Sequence, residues 1–377
     1  MSQLKKYLDA HETDIVGGIE QFVTRETPST DKARLDAFAT FLAKYAAEIS
    51  GGKSEVVPAE NSGNNVILRC GETDATSPVM LVGHYDTVWP VGTLNTMPFS
   101  IDDSIARGPG IFDMKAGLVQ GLWAIRALRA TDTPHRPIVF VFNSDEEIGS
   151  PESRPLIERH ARDAHAALVL EPSFDGALKT ERKGVGRYTI RVRGRAAHAG
   201  LDPKGGVSAI DELARLTLAL HESTDLSLGT TVNVGVVRGG SRFNVIAEFA
   251  EAEIDLRIAT MDEAQRMDAL IKALGPHHAE AEVTAEGGIV WPPMKRNASI
   301  AHLFDVASNI ASHELDLTLD EASVGGASDG CTCAALGIPV LDGLGAVGAG
   351  AHAVHEHIDI RHVSVRSALV AHLLSEL

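Results

Sequence analysis

The chain has 377 residues, 44% of them hydrophobic and 23% charged, with a net charge of −17. That composition belongs to a folded globular protein, and the length exceeds what one hydrophobic core usually organises, so two domains are expected. The charge excludes a nucleic-acid backbone as partner, and no apolar run is long enough to span a bilayer.

The opening residues, MSQLKKYLDAHETDIVGG, read as an amphipathic helix without the apolar segment and cleavage site of a secretory signal, so a cytoplasmic protein is expected. The cysteines are Cys70, Cys331 and Cys333. An odd count and a Cys-x-Cys spacing suit buried small side chains better than a disulfide framework or a thiolate metal site.

NNVILRC, PVMLVGH, RPIVFVFNS and AALVLEPS are continuous apolar runs of the kind made by strands buried on both faces. Between them, MKAGLVQGLWAIRALRA places Leu118, Leu122, Ile125 and Leu128 on one helical stripe. Strands alternating with helices predict a largely parallel α/β sheet, whose ligands sit beyond the carboxyl ends of the strands. His84, Glu146, Glu147 and Glu171 all fall at that end of their runs.

Near residue 184 the pattern changes. GRYTIRVRGR alternates polar and apolar residues, and the order that follows is helix, strand, strand, helix, strand. That β-α-β-β-α-β order predicts a ferredoxin-like domain inserted at residues 184–288. The remainder, 1–183 plus 289–377, forms the α/β domain.

Five short segments carry chemistry. HYD holds His84 and Asp86; GPGIFDMKAG holds Asp113 in a glycine-rich turn; SDEEIGS holds Glu146 and Glu147; LEPS holds Glu171; and GAHAVHEHIDI holds His352, His355 and His357. Several carboxylates at the ends of buried strands are costly without cations or water to compensate them. Together with two imidazoles they suit two zinc ions about 3.5–4 Å apart, sharing a carboxylate and a water. Of the adjacent Glu146 and Glu147, one can ligate while the other acts as a base.

These segments, in this order, resemble the dinuclear zinc metallopeptidases and amidohydrolases, a family that includes glutamate carboxypeptidase, aminoacylase, acetylornithine deacetylase and succinyl-diaminopimelate desuccinylase. GGIVWPPMKR and NVIAEFAEAEIDLR lean toward the glutamate carboxypeptidase branch. The resemblance implies a mostly parallel-sheet catalytic domain with an inserted lid and dimerisation domain. It implies hydrolysis of an amide bond in a short peptide or N-acyl amino acid by a metal-bridged hydroxide, in a cytoplasmic homodimer with two Zn²⁺, replaceable by Co²⁺ or Mn²⁺. The implied ligands are His84 and Glu171 for one ion, Glu147 and His352 for the other, and Asp113 for both. Glu146 is the implied base, Asp86 orients His84, and His198 of the inserted domain donates to the oxyanion in a partner's site. A cis peptide at Asp113–Met114 is implied too. Asn233, Asn244 and Arg257 match substrate-binding positions of the lid, although Arg257 can equally pair with Asp255 or Glu253. Trp291 stands where relatives carry Arg, which suggests a more apolar substrate side chain.

Two rival readings follow from the residues. GGASDG holds a G-x-S-x-G pattern around Ser328, followed by Asp342 and His352 in the order of serine α/β-hydrolases. That reading leaves Asp113, Glu146 and Glu147 without a task. In the metalloenzyme reading Ser328 instead lies at a helix N-terminus, where it can bind a substrate carboxylate. A non-catalytic metal-binding protein of the same fold would have lost a base or a ligand, and here all are present.

Overall fold

The computed structural model describes residues 2–71 and 76–377. The apolar runs of the first half fold as the strands Asn65–Cys70, Val79–His84, Ile138–Asn143 and Ala166–Val169, with nearly every side chain buried. Lys53–Val57 and Val340–Leu341 complete a six-stranded sheet in the spatial order 53–57, 65–70, 138–143, 79–84, 166–169, 340–341. The last four strands are parallel, whereas the two pairings at the 53–57 edge are antiparallel. Full burial on both faces explains why these segments read as unbroken apolar runs. The parallel register sets His84 opposite Asn143, so several strands end together along one edge.

The helix Ala116–Ala130 buries Leu118, Leu122, Ile125 and Leu128, as its stripe predicts. Its other sides are buried too, including Val119, Trp123 and Gln120, because Gln3–Ala10, Glu12–Val23 and Val363–Glu376 pack over it. Segments from both ends of the chain thus close the core. The helix approaches the sheet so tightly that a Cβ on Gly117 would lie 2.1 Å from the carbonyl oxygen of Leu170. From the last helix, the fully buried Arg366 donates to the carbonyls of Gly343, Gly345 and Gly176, fixing the loop beyond Val340–Leu341.

The chain divides into two compact units: Met1–Glu181 with Arg296–Ser323 and Ser328–Leu377, and Arg182–Lys295 with Val324–Ala327. In the second unit the strands Gly184–Arg193, Thr231–Gly239, Phe249–Ile258 and Glu282–Trp291 form one antiparallel sheet, and the helices Ala209–Glu222 and Met261–Lys272 help bury its apolar face. Residue 288 lies inside the strand Glu282–Trp291, which stays paired with Gly184–Arg193 as far as Trp291 opposite Val185.

Alanine in place of glycine within a helix ordinarily stabilises by about 1 kcal/mol. At position 117 the sign should reverse, because the added methyl meets a backbone carbonyl that cannot step aside. Gly117→Ala is expected to lower stability by about 2 kcal/mol, read from the urea midpoint at unchanged slope.

Candidate metal centre

Three adjacent parallel strands deliver the first group of side chains. His84 is the last residue of its strand, Glu146 and Glu147 open a single turn three residues beyond Asn143, and Glu171 follows Val169 by two. Asp113 enters from the turn before Ala116–Ala130, where Gly110 has a φ of 70° and the Asp113–Met114 peptide is cis. His352 lies in the loop between the short strands Gly348–Ala349 and His357–Asp359, with a φ of 62°.

Asp86 organises two of these arrivals. Its backbone carbonyl is 3.0 Å and one carboxylate oxygen 3.3 Å from His84 Nδ1, which turns Nε2 toward the cluster. The same carboxylate accepts the backbone N–H groups of Glu146 and Glu147, at 3.2 and 3.3 Å, and the Ser29 hydroxyl at 2.7 Å. A single buried aspartate therefore aims the histidine and holds the paired glutamates.

Asp113 is the centre of the geometry. Its Oδ1 is 3.2 Å from His84 Nε2 and its Oδ2 is 3.5 Å from His352 Nε2. Glu171 stands 3.5 Å from the same His84 nitrogen, and Glu147 stands 3.1 Å from that of His352. Ligand atoms bonded at about 2.0–2.1 Å around a tetrahedral ion lie about 3.3–3.4 Å from one another. Four of the separations match that edge length, while Glu146 is farther from His84, at 4.0 Å. His84, Glu146 and Glu171 form one group able to hold a metal ion, and His84, Asp113 and Glu147 another. Oε1 of Glu147 is buried without a hydrogen-bond partner, an orphaned acceptor that a cation would satisfy. The donor set of imidazole and carboxylate thus fits divalent metal ions.

The charges are strongly perturbed. Burial pushes Glu146 well above the usual carboxylate range and Glu147 up to about 6. Burial works against charge on His84 as well, but Asp113, Asp86 and Glu171 outweigh it and raise its pKa. Asp113 and Glu147 raise the half-exposed His352 to about 10. Burial opposes ionisation of Asp113, yet the two imidazoles hold it far below the carboxylate range.

Other expected residues lie elsewhere. Of the three loop histidines, His352 is the one set against Asp113 and Glu147, whereas His357 Nδ1 rests on the His355 carbonyl. Ser328 is not a nucleophile or a carboxylate contact. It has no exposed surface, caps the helix Asp329–Ala335, and donates to Asp342 at 2.7 Å, while His352 faces Asp113 and Glu147. The serine-hydrolase reading therefore fails for want of a base. Cys331 and Cys333 are buried thiols of that same short helix.

His198, Asn233, Asn244 and Arg257 belong to the second unit. Arg257 is not a free carboxylate clamp, because its guanidinium forks onto Asp255 with two 2.8 Å bonds and gives a third to the Gly325 carbonyl. Trp291 is 5% exposed, which leaves no face for selecting a substrate. The sequence reading gave no role to Asp329, whose buried carboxylate takes hydrogen bonds from Asn143 and Ser150 beside the glutamate turn. Burial raises it to about 6. It also passed over Glu356, hidden among three histidines.

Residues 80–376 match the family model described as peptidase family M20/M25/M40. The chain belongs to that family. It is 28% identical over 378 residues to carboxypeptidase G2 of Pseudomonas sp. strain RS-16, covering 96% of this chain and 89% of that protein. Its fold is similar to the aminopeptidase PepT of Bacillus cereus, with a TM-score of 0.76 at 22% identity over 97% of this chain and 98% of the other. It is also similar to the YXEP protein of Bacillus subtilis, a dinuclear metal binding peptidase of the M20 family, with a TM-score of 0.69 at 16% identity over 97% and 98% of the two chains. The chain is a metallopeptidase or amidohydrolase, and its donor cluster equips it for metal-dependent hydrolysis of an amide bond.

His352 has a folded pKa of about 10 against an ordinary 6.5. Its ion pairs in the metal-stripped protein are therefore fully present below about pH 6.5 and lost as the pH rises through about 10. Thermal melts of stripped protein should fall over that interval more steeply than those of His352→Ala. Parallel curves would show that the pairing contributes nothing to stability.

Proposed function

We propose that the chain is a cytoplasmic, homodimeric two-zinc carboxypeptidase or aminoacylase, acting on short peptides or N-acyl amino acids with a free α-carboxylate. One observation carries this reading: the two oxygens of Asp113 face two different histidines, each accompanied by its own glutamate. His84 and Glu171 would hold one zinc, His352 and Glu147 the other, and Asp113 both. When bound, the ions polarise the scissile carbonyl and make water acidic enough to ionise near neutral pH. Cobalt or manganese can take their place.

Glu146 is the base. It lies beside the proposed ligands but farther from His84, and burial raises its affinity for a proton. A carboxylate with that property takes the proton of the attacking water and returns it to the departing nitrogen. His198 is suited to the oxyanion. Its Nδ1 accepts the N–H groups of Gly200 and Leu201, each at 3.1 Å, so the neutral ring carries its proton on Nε2 and can donate outward. Such a donor contributes on the order of 3 kcal/mol to barrier lowering. The carbonyl of Asn244 accepts the N–H of Ala199, tying Asn244 to the His198 loop as a second substrate contact. Asn233, exposed on the strand Thr231–Gly239, is a third.

A second copy of the chain is the partner that best suits the second unit. Thr231–Gly239 is an edge strand carrying exposed Val236 and Val237, and the helix Ala209–Glu222 exposes Ile210 and Leu218. An open edge beside apolar side chains is what an isologous dimer covers. The buried thiols of Cys70, Cys331 and Cys333 agree with a reducing compartment.

Glu146→Gln should retain two zinc ions by elemental analysis and lose activity by about 10³-fold. Near-normal turnover in that variant would remove the base. Hydrolysis of a panel of N-acyl amino acids and dipeptides should vanish on chelation and return with zinc or cobalt; activity that survives metal removal would sink the two-metal reading. His198→Ala mixed with Glu146→Gln should recover activity through hybrid dimers, and no recovery counts against a shared site.

A further inference from the structure

The strand His357–Asp359 pairs antiparallel with Ile105–Arg107, setting His357 opposite Arg107. That register brings the residue before His357 against the glycine-rich turn after Arg107. The residue is Glu356, which has no exposed surface. One of its oxygens accepts the backbone N–H groups of Phe112 and Asp113, at 2.9 and 3.1 Å. The other accepts the N–H of Gly110 at 2.9 Å and the indole N–H of Trp89 at 2.8 Å. Converging backbone N–H groups in a turn that includes a left-handed residue make an anion receptor, and here the anion comes from the chain itself.

The donors belong to separate loops. Trp89 continues the stretch that leaves His84 and Asp86, the three amides belong to the turn presenting Asp113, and Glu356 follows His352 by four residues. One buried carboxylate therefore joins the loops that carry three of the proposed ligands.

We propose that Glu356 is a positioning residue that sets the backbone of Asp113, and through it the spacing of the two metal positions. The proposal rests on the two-metal reading for the role of Asp113. It requires both carboxylate oxygens as acceptors, because each takes two N–H groups. Glutamine has the same shape but replaces one oxygen with an NH₂ group. Either orientation of the amide then sets a donor against two donors.

The test is a titration of metal-stripped protein with cobalt(II), followed by its visible absorption. Wild-type protein should take up two equivalents. Glu356→Gln should keep the wild-type circular dichroism, bind cobalt about 10–100-fold more weakly, and at saturating cobalt lose kcat with little change in KM. A purely structural role would lower the melting temperature and leave cobalt affinity alone. Wild-type uptake with unchanged affinity in Glu356→Gln overturns the proposal while sparing the two-metal reading; no uptake by wild type overturns both. Should the variant fail to fold, amide exchange in stripped wild-type protein decides. The N–H groups of Gly110, Phe112 and Asp113 should exchange slowly without metal, and exchange at the rate of free amides overturns the proposal.

Discussion

The structure is organised around a concentration of negative charge that it cannot neutralise alone. Asp113, Glu146, Glu147 and Glu171 crowd against two histidines, so four carboxylates face at most two positive charges. Carboxylates brought that close repel one another, and in a buried setting their loss of water adds to the penalty. The protein nevertheless holds them in place, which is why so much of the surrounding backbone is fastened by hydrogen bonds. Asp86 holds the glutamate turn by two amides, Arg366 ties two carbonyls of the loop beyond Val340–Leu341 to that of Gly176, and Asp329 ties the end of Ile138–Asn143 to Ser150. An arrangement strained by its own charge stores an affinity for divalent cations, and rigid backing keeps the carboxylates from relaxing apart.

The parts of this arrangement legible in the sequence are those that follow a period or end one. Strands buried on both faces announce themselves as apolar runs, and a polar residue at the end of such a run must sit at the sheet's edge. That logic locates His84, the glutamate pair and Glu171 without any structure. The change near residue 184 from unbroken apolar runs to an alternating strand likewise marks the second unit. The buried helix Ala116–Ala130 is partly hidden, because its stripe predicts one covered face and segments distant in sequence cover the rest.

What stayed hidden was of a different kind. Glu356, Asp329 and Arg366 bind mostly backbone groups or small polar side chains far away in the chain, and such partners leave no periodic trace. Charge alone suggests that each faces water, whereas each is buried. Ser328 misled for a related reason. A glycine-flanked serine before a helix is equally good as a nucleophile or as an N-cap, and only the neighbouring Asp342 decides in favour of the cap. For Arg257 the sequence leaves a substrate role and a strand-face pairing equally open, and the fork onto Asp255 decides for the pairing.

The two halves of the cluster are built differently. His84 is 1% exposed, ends a central strand and is braced by Asp86, so its direction is fixed by the sheet itself. His352 is 52% exposed, lies in a loop and adopts a positive φ, which a non-glycine side chain tolerates only when its surroundings impose it. Asp113 has to serve both, and its own turn is neither strand nor regular helix. A turn of that kind has little intrinsic preference for one shape, so its precision must come from outside. The carboxylate of Glu356 supplies it from the same loop that carries His352, so displacing that loop also releases the Asp113 turn. The sheet therefore fixes one half of the cluster, and the loop completes the other half while holding the aspartate between them.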